Sequence, residues 1–88
     1  MVNQYKKNQD VVEAIQYTGL NARDIEDFLN ELIYERVYAM YRPNGSLPSD
    51  RSFVYKGQNV MYGYYLVKEK GSILVLNESQ FKEIYQPV

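Results

Sequence analysis

The sequence predicts an α+β fold: a small, largely antiparallel sheet of about five strands, with one main helix on one face and a short C-terminal helix. Three observations carry that reading. Residues 10–17 alternate as a half-buried strand does, two capping patterns each open a stretch of helical spacing, and runs of Val, Ile, Leu and Tyr lie between glycine turns.

In the first strand, Val11, Glu13, Ile15 and Tyr17 fall on one face and Val12, Ala14 and Gln16 on the other. Thr18-Gly19 ends it. Asn21 is placed as N-cap of the main helix, with Asp24 at the third helical position and Leu20 set to pack on Ile25 as a hydrophobic staple. Ile25, Phe28, Leu29 and Leu32 form the apolar stripe, and Arg23, Glu26, Asp27, Asn30 and Glu31 fill the polar face. From Ile33 the pattern turns β-branched and aromatic, so Tyr34, Val37, Tyr38, Met40 and Tyr41 read as a strand.

Residues 42–50 concentrate Pro, Gly, Asn and Ser and read as a loop, with Asn44-Gly45 a favoured tight-turn pair. Residues 52–56 form a short returning strand, and 57–59 the next turn. Residues 60–67 are read as one extended segment, with Gly63 as a bulge or a place where another backbone approaches closely. After a polar turn at 68–71, the apolar run 72–76 is expected in the sheet interior, paired with 64–67 as a hairpin. Leu76, Asn77, Gln80 and Phe81 repeat the staple and cap, giving a short helix to about Ile84, which Pro87 prevents from continuing.

Eighty-eight residues can build one core, so 1–88 is read as a single domain. The absence of cysteine removes disulfides and thiolate metal sites, which suits a reducing compartment. No apolar region follows the basic residues near the start, and no run approaches the ~18 apolar residues of a membrane span. A net charge of −1 argues against nucleic acid as partner. Ten tyrosines stand against three phenylalanines and no tryptophan, an excess suited to half-buried surfaces, interfaces and pockets.

Tyr5-Lys6-Lys7 followed by the run Val11-Val12-Glu13-Ala14-Ile15-Gln16-Tyr17-Thr18-Gly19 opens the chain; Gly63-Tyr64-Tyr65-Leu66-Val67 and Phe81-Lys82-Glu83-Ile84-Tyr85-Gln86-Pro87-Val88 close it. Together they resemble a family of small accessory proteins encoded by phages and prophages, mainly of Gram-positive hosts. The resemblance spans roughly the first and last thirds of the chain. It implies a phage accessory protein made in the host bacterial cytoplasm, and brings no established activity or catalytic residue with it. Tyr17 stands where the family often has tryptophan, and Tyr64 where it has an acidic residue.

With no histidine and no cysteine, the commonest general base, nucleophile and zinc ligands are missing, so no enzyme, metal or cofactor is expected. Glu13, beside Val11 and Ile15, is a carboxylate that burial could tune; the competing reading is a solvated or lysine-paired edge residue. Asp24, Glu26, Asp27 and Glu31 read as a solvated helix face, and the glycines as turns.

Tyr34, Tyr38, Tyr62 and Tyr64 share a parity within their strands and suggest an aromatic wall. Arg36, Arg42, Arg51 and Lys56 flank it to meet phosphate or carboxylate groups. The competing reading is a half-covered core or a homo-oligomer interface. One helix leaves the second sheet face uncovered, so a homodimer or higher symmetric oligomer is expected. The leading functional expectation is stoichiometric binding in counter-defence, against a host protein or a small nucleotide signal. The alternative is a structural or assembly role in the virion.

Overall fold

Extended chain does not run unbroken from Val60 to Val67: it turns at Tyr62-Gly63, where Gly63 takes φ 88°, and that turn divides the strands between two sheets. The computed structural model describes residues 3–7, 10–37 and 47–87. In chain order the elements are β1 (Asn3–Lys7), β2 (Asp10–Gln16), α1 (Ala22–Leu29), β3 (Arg36–Val37), a 3-10 turn (Pro48–Asp50), β4 (Arg51–Tyr55), β5 (Gln58–Met61), β6 (Tyr65–Glu69), β7 (Ser72–Leu76), α2 (Glu78–Ile84) and β8 (Gln86–Pro87). One sheet has the order β7-β6-β2-β1-β8, the other β3-β4-β5, and every pairing is antiparallel. The α+β class and antiparallel pairing stand as expected. The single sheet becomes two because Gly63 redirects the chain instead of bulging it.

The alternation of β2 explains why both sides of the larger sheet are covered. Val12 and Ala14 face a cluster with Tyr65, Val67, Phe81 and Tyr85, to which α2 contributes Phe81. Ile15 and, just beyond the strand, Tyr17 face the other cluster, with Ile25 and Phe28 of α1, Phe53 and Tyr55 of β4, Val60 and Leu66. Val11 and Glu13 share the parity of Ile15 yet are exposed, because α1 and the smaller sheet cover only the C-terminal half of that face. Burying side chains such as Ile25 and Phe28 stabilises the fold by roughly 1.5–3 kcal/mol each.

The main helix is shorter than its apolar pattern. It ends at Leu29, where Asn30 adopts the left-handed conformation at φ 58°, and Leu32 beyond it is 71 % exposed. The Glu26 carboxylate accepts from Ile33 N–H at 3.1 Å, fastening the chain as it leaves. Asn21 precedes the helix without capping it. Its Oδ1 accepts from Thr18 N–H at 3.0 Å and its Nδ2 donates to Gln16 C=O at 2.8 Å, so the side chain closes the strand exit. Leu20, at 75 % exposure, forms no staple on Ile25.

At α2 the local reading holds. Asn77 accepts from Gln80 N–H at 2.8 Å while the Gln80 side chain accepts from Asn77 N–H at 3.1 Å, a reciprocal capping box. The apolar run of β7 pairs with β6 as expected but lies at an edge and not in the sheet interior. Lys56-Gly57 and Lys70-Gly71 are two-residue turns with positive φ at both positions, the geometry whose twist suits a hairpin. The predicted strand after Ile33 is limited to Arg36–Val37 among the described residues; Tyr38, Met40 and Tyr41 lie outside them.

Candidate binding surface

The end of β2 is where the two sheets meet. Tyr17 N–H donates to Tyr64 C=O at 2.8 Å, Gly63 N–H donates to Tyr17 C=O at 2.8 Å, and Gln16 Nε2 donates to Gly63 C=O at 3.1 Å. The Tyr17 ring is fully buried and meets Phe53 edge-on at 5.0 Å. Its hydroxyl donates to the Glu35 carboxylate. Burial first, then that hydrogen bond and the negative charge, push the Tyr17 hydroxyl pKa well above the ordinary tyrosine value, while Arg51 opposes them.

Tyr34 precedes β3, which begins at Arg36, and register places Arg36 on the outer side of the smaller sheet. There Arg36 stands opposite Ser52, and Ser52 opposite Met61, with Val54 on the same face. Tyr34 is 79 % exposed, Met61 45 % and Val54 43 %. Arg36, Val54 and Met61 are thus exposed on one face around the buried Ser52, with Tyr34 exposed just before β3.

The other predicted site residues are dispersed. Tyr62, 53 % exposed, follows Met61 at the β5 edge, whereas Tyr34 approaches the β3 edge, with β4 between them. Tyr64 is half-buried and packs on the core cluster. Arg51 stands opposite Val37, one position out of phase with Arg36, and its Nη1 donates to Gly19 C=O at 3.2 Å. Arg51 Nε and the hydroxyl of Ser52 are buried without a hydrogen-bond partner among the described residues. Lys56 lies over the Tyr55 ring at 5.4 Å. Tyr38 and Arg42 lie outside the described residues. Tyr62 and Tyr64 belong to a turn, so parity along a strand does not align them with Tyr34.

A second polar group joins three elements that sequence reasoning did not connect. Tyr85 Oη donates to Glu69 Oε2 at 2.7 Å, and Lys7 Nζ lies 3.3 Å from Glu69 Oε1. Burial and the Glu69 carboxylate push the Tyr85 hydroxyl up to about 12, while the Tyr85 hydrogen bond, followed by Lys7, holds Glu69 below its ordinary value. The only sequence signal was the preference of a buried tyrosine hydroxyl for a polar partner.

Glu13 is exposed and stands opposite Lys68 on one side and Gln4 on the other. A cleft of about 260 Å³ is lined by Asp10, Val11, Val12, Lys68, Glu69 and Lys70. Another, of about 310 Å³, is lined by Glu26, Asp27, Asn30, Glu31 and Leu32. Neither contains an aromatic side chain. Among the described residues no three metal-ligating side chains converge, and no helix is long and apolar enough to cross a membrane. No protein-family model, curated protein or solved structure matches the chain.

Proposed function

We propose that this chain is a phage-encoded accessory protein of the host bacterial cytoplasm, acting by stoichiometric binding to a host protein in counter-defence. The reading is supported above all by the exposed side chains of the smaller sheet, Arg36, Val54 and Met61 on its outer face and Tyr34 just before β3. Tyrosine and arginine anchor protein interfaces well, because each brings large contact area and directional hydrogen bonding. A sequestered nucleotide fits less well: ligand pockets are concave and mostly apolar, whereas Tyr34, Arg36, Val54 and Met61 are exposed side chains.

The composition adds to the binding reading, since a chain without histidine or cysteine lacks the usual means of acid–base and nucleophilic catalysis. The decisive experiment is copurification of the tagged chain from infected host cells, compared with the Tyr34→Ala/Arg36→Ala double variant. One host polypeptide should be retained by the parent and lost by the variant, with unchanged circular dichroism and thermal midpoint. Recovery of virion proteins would replace this reading with a structural role. A shift of the midpoint with micromolar cyclic nucleotide, undiminished in the double variant, would overturn the site.

A further inference from the structure

We propose that β7 seats a second copy of this chain, the two β7 strands pairing antiparallel about a twofold axis at Leu74 to join their larger sheets into one. This inference is independent of the Tyr34 surface.

The sheet edges differ in how well they are protected. β8 is two residues long and includes Pro87, which has no N–H to offer; β3 is two residues long and carries Arg36. β5 presents Gln58 and Asn59. β7 is longer, reads Ser-Ile-Leu-Val-Leu, and contains no charge, proline or bulge. Among the described residues no strand pairs with its outer side. Such an edge is a template for another strand unless something blunts it.

The hydrogen-bond alternation fixes which groups are free. In the two-residue turn at Lys70-Gly71, Glu69 and Ser72 form the hydrogen-bonded closing pair. The same phase follows from the other side of β6, since Tyr64 C=O is turned toward β2, where it accepts from Tyr17. Ser72, Leu74 and Leu76 therefore bond inward to β6, and Ile73 and Val75 direct both N–H and C=O outward. The register centred on Leu74 sets Ile73 against the second copy's Val75 and satisfies all these groups at once.

Side chains and charges agree with that register. Ile73 and Val75 pack against the core cluster beneath α1, so their pairing continues that apolar face across the axis. Leu74, 38 % exposed, meets the second copy's Leu74 as a non-hydrogen-bonded pair, where side chains approach most closely. Just beyond the strand ends stand exposed Lys70, in the turn, and Glu78, at the start of α2 and paired with Lys82 at 2.9 Å, so each end of the axis joins charges of opposite sign.

Sedimentation or light scattering across a concentration series should find a monomer–dimer equilibrium. Leu74→Lys places like charges on the axis and should weaken it at least about tenfold, with unchanged circular dichroism. Lys70→Glu should weaken it less. Because the chain has no cysteine, Leu74→Cys gives a single thiol facing its copy at a Cα separation of about 4.5 Å, within disulfide reach. It should crosslink on mild oxidation far faster than Ile84→Cys. A wild-type monomer up to the solubility limit, a dimer that survives Leu74→Lys, or equal crosslinking of the two cysteine variants would overturn the proposal.

Discussion

Tyr85 donates its hydroxyl to Glu69 at 2.7 Å, which ties the exit of α2 to the end of β6 across the larger sheet. The same carboxylate receives Lys7 of β1. Both partners favour the ionised acid, so the folded pKa of Glu69 lies below its ordinary 4.5. The stabilisation from this group is therefore present above about pH 4.5 and lost as pH falls through the folded value. Glu69→Gln should flatten the acid limb of the melting temperature against pH. Tyr85→Phe should flatten it more than Lys7→Ala does, because the hydroxyl bond is the larger cause; an equal effect would count against that ranking.

At alkaline pH the sign reverses. Tyr17 and Tyr85 have folded pKa values above the ordinary 10.0, so their contribution is intact below that value and is lost as pH rises through the folded ones, about 12 for Tyr85. Phenolate absorbance followed by titration should show these two tyrosines ionising only as the fold is lost.

The Tyr17–Glu35 bond is also testable by deletion. Tyr17→Phe leaves the half-buried Glu35 carboxylate without its donor, and should cost about 1–3 kcal/mol in urea unfolding. Glu35→Gln keeps an acceptor in place and should cost less. A near-neutral Tyr17→Phe would mean that water replaces the phenol at the sheet junction.

Two glycines with nearly the same φ should respond differently to alanine. Gly19 (φ 77°) lies against the Pro48 carbonyl, which a Cβ would overlap, whereas nothing lies within 4 Å of a Cβ at Gly71 (φ 78°). Gly71→Ala should cost the left-handed strain alone, roughly 1–2 kcal/mol. Gly19→Ala should cost clearly more, because backbone must move. Denaturant midpoints compare them directly.

The helix caps separate legible from illegible sequence. Asn77→Ala should cost about 1 kcal/mol, the usual loss for an N-cap. At Asn21 the same residue type in a similar pattern is occupied elsewhere, with Thr18 and Gln16, because the strand just before α1 offers nearer partners. The hairpins, α2 and the burial of Ile25 and Phe28 were legible for the same reason as the Asn77 cap: neighbours along the chain determine them. The split into two sheets was not: a glycine inside an extended run reads as a bulge or as a close approach of another backbone, and Gly63 does take the Tyr17 carbonyl, but through a turn that the sequence around it does not mark. β1 was missed because its five residues carry two lysines and little alternation, and pairing with β2 and β8 supplies what propensity lacks. Of the candidate site, exposure at Tyr34 and Tyr62 followed from residue type, but their separation depended on β4 lying between them.

The junction at Tyr17 has a kinetic meaning as well. Gln16 meets Gly63 from 47 positions away, and the β2–β6 pairing continues that long-range contact. The hairpins β4–β5 and β6–β7 each close through a two-residue turn and can form early, yet neither buries the core until that distant loop is closed. Refolding should therefore be limited by one late event that locks both sheets together, and amides at Tyr17 and Gly63 should exchange with solvent only when the whole molecule opens.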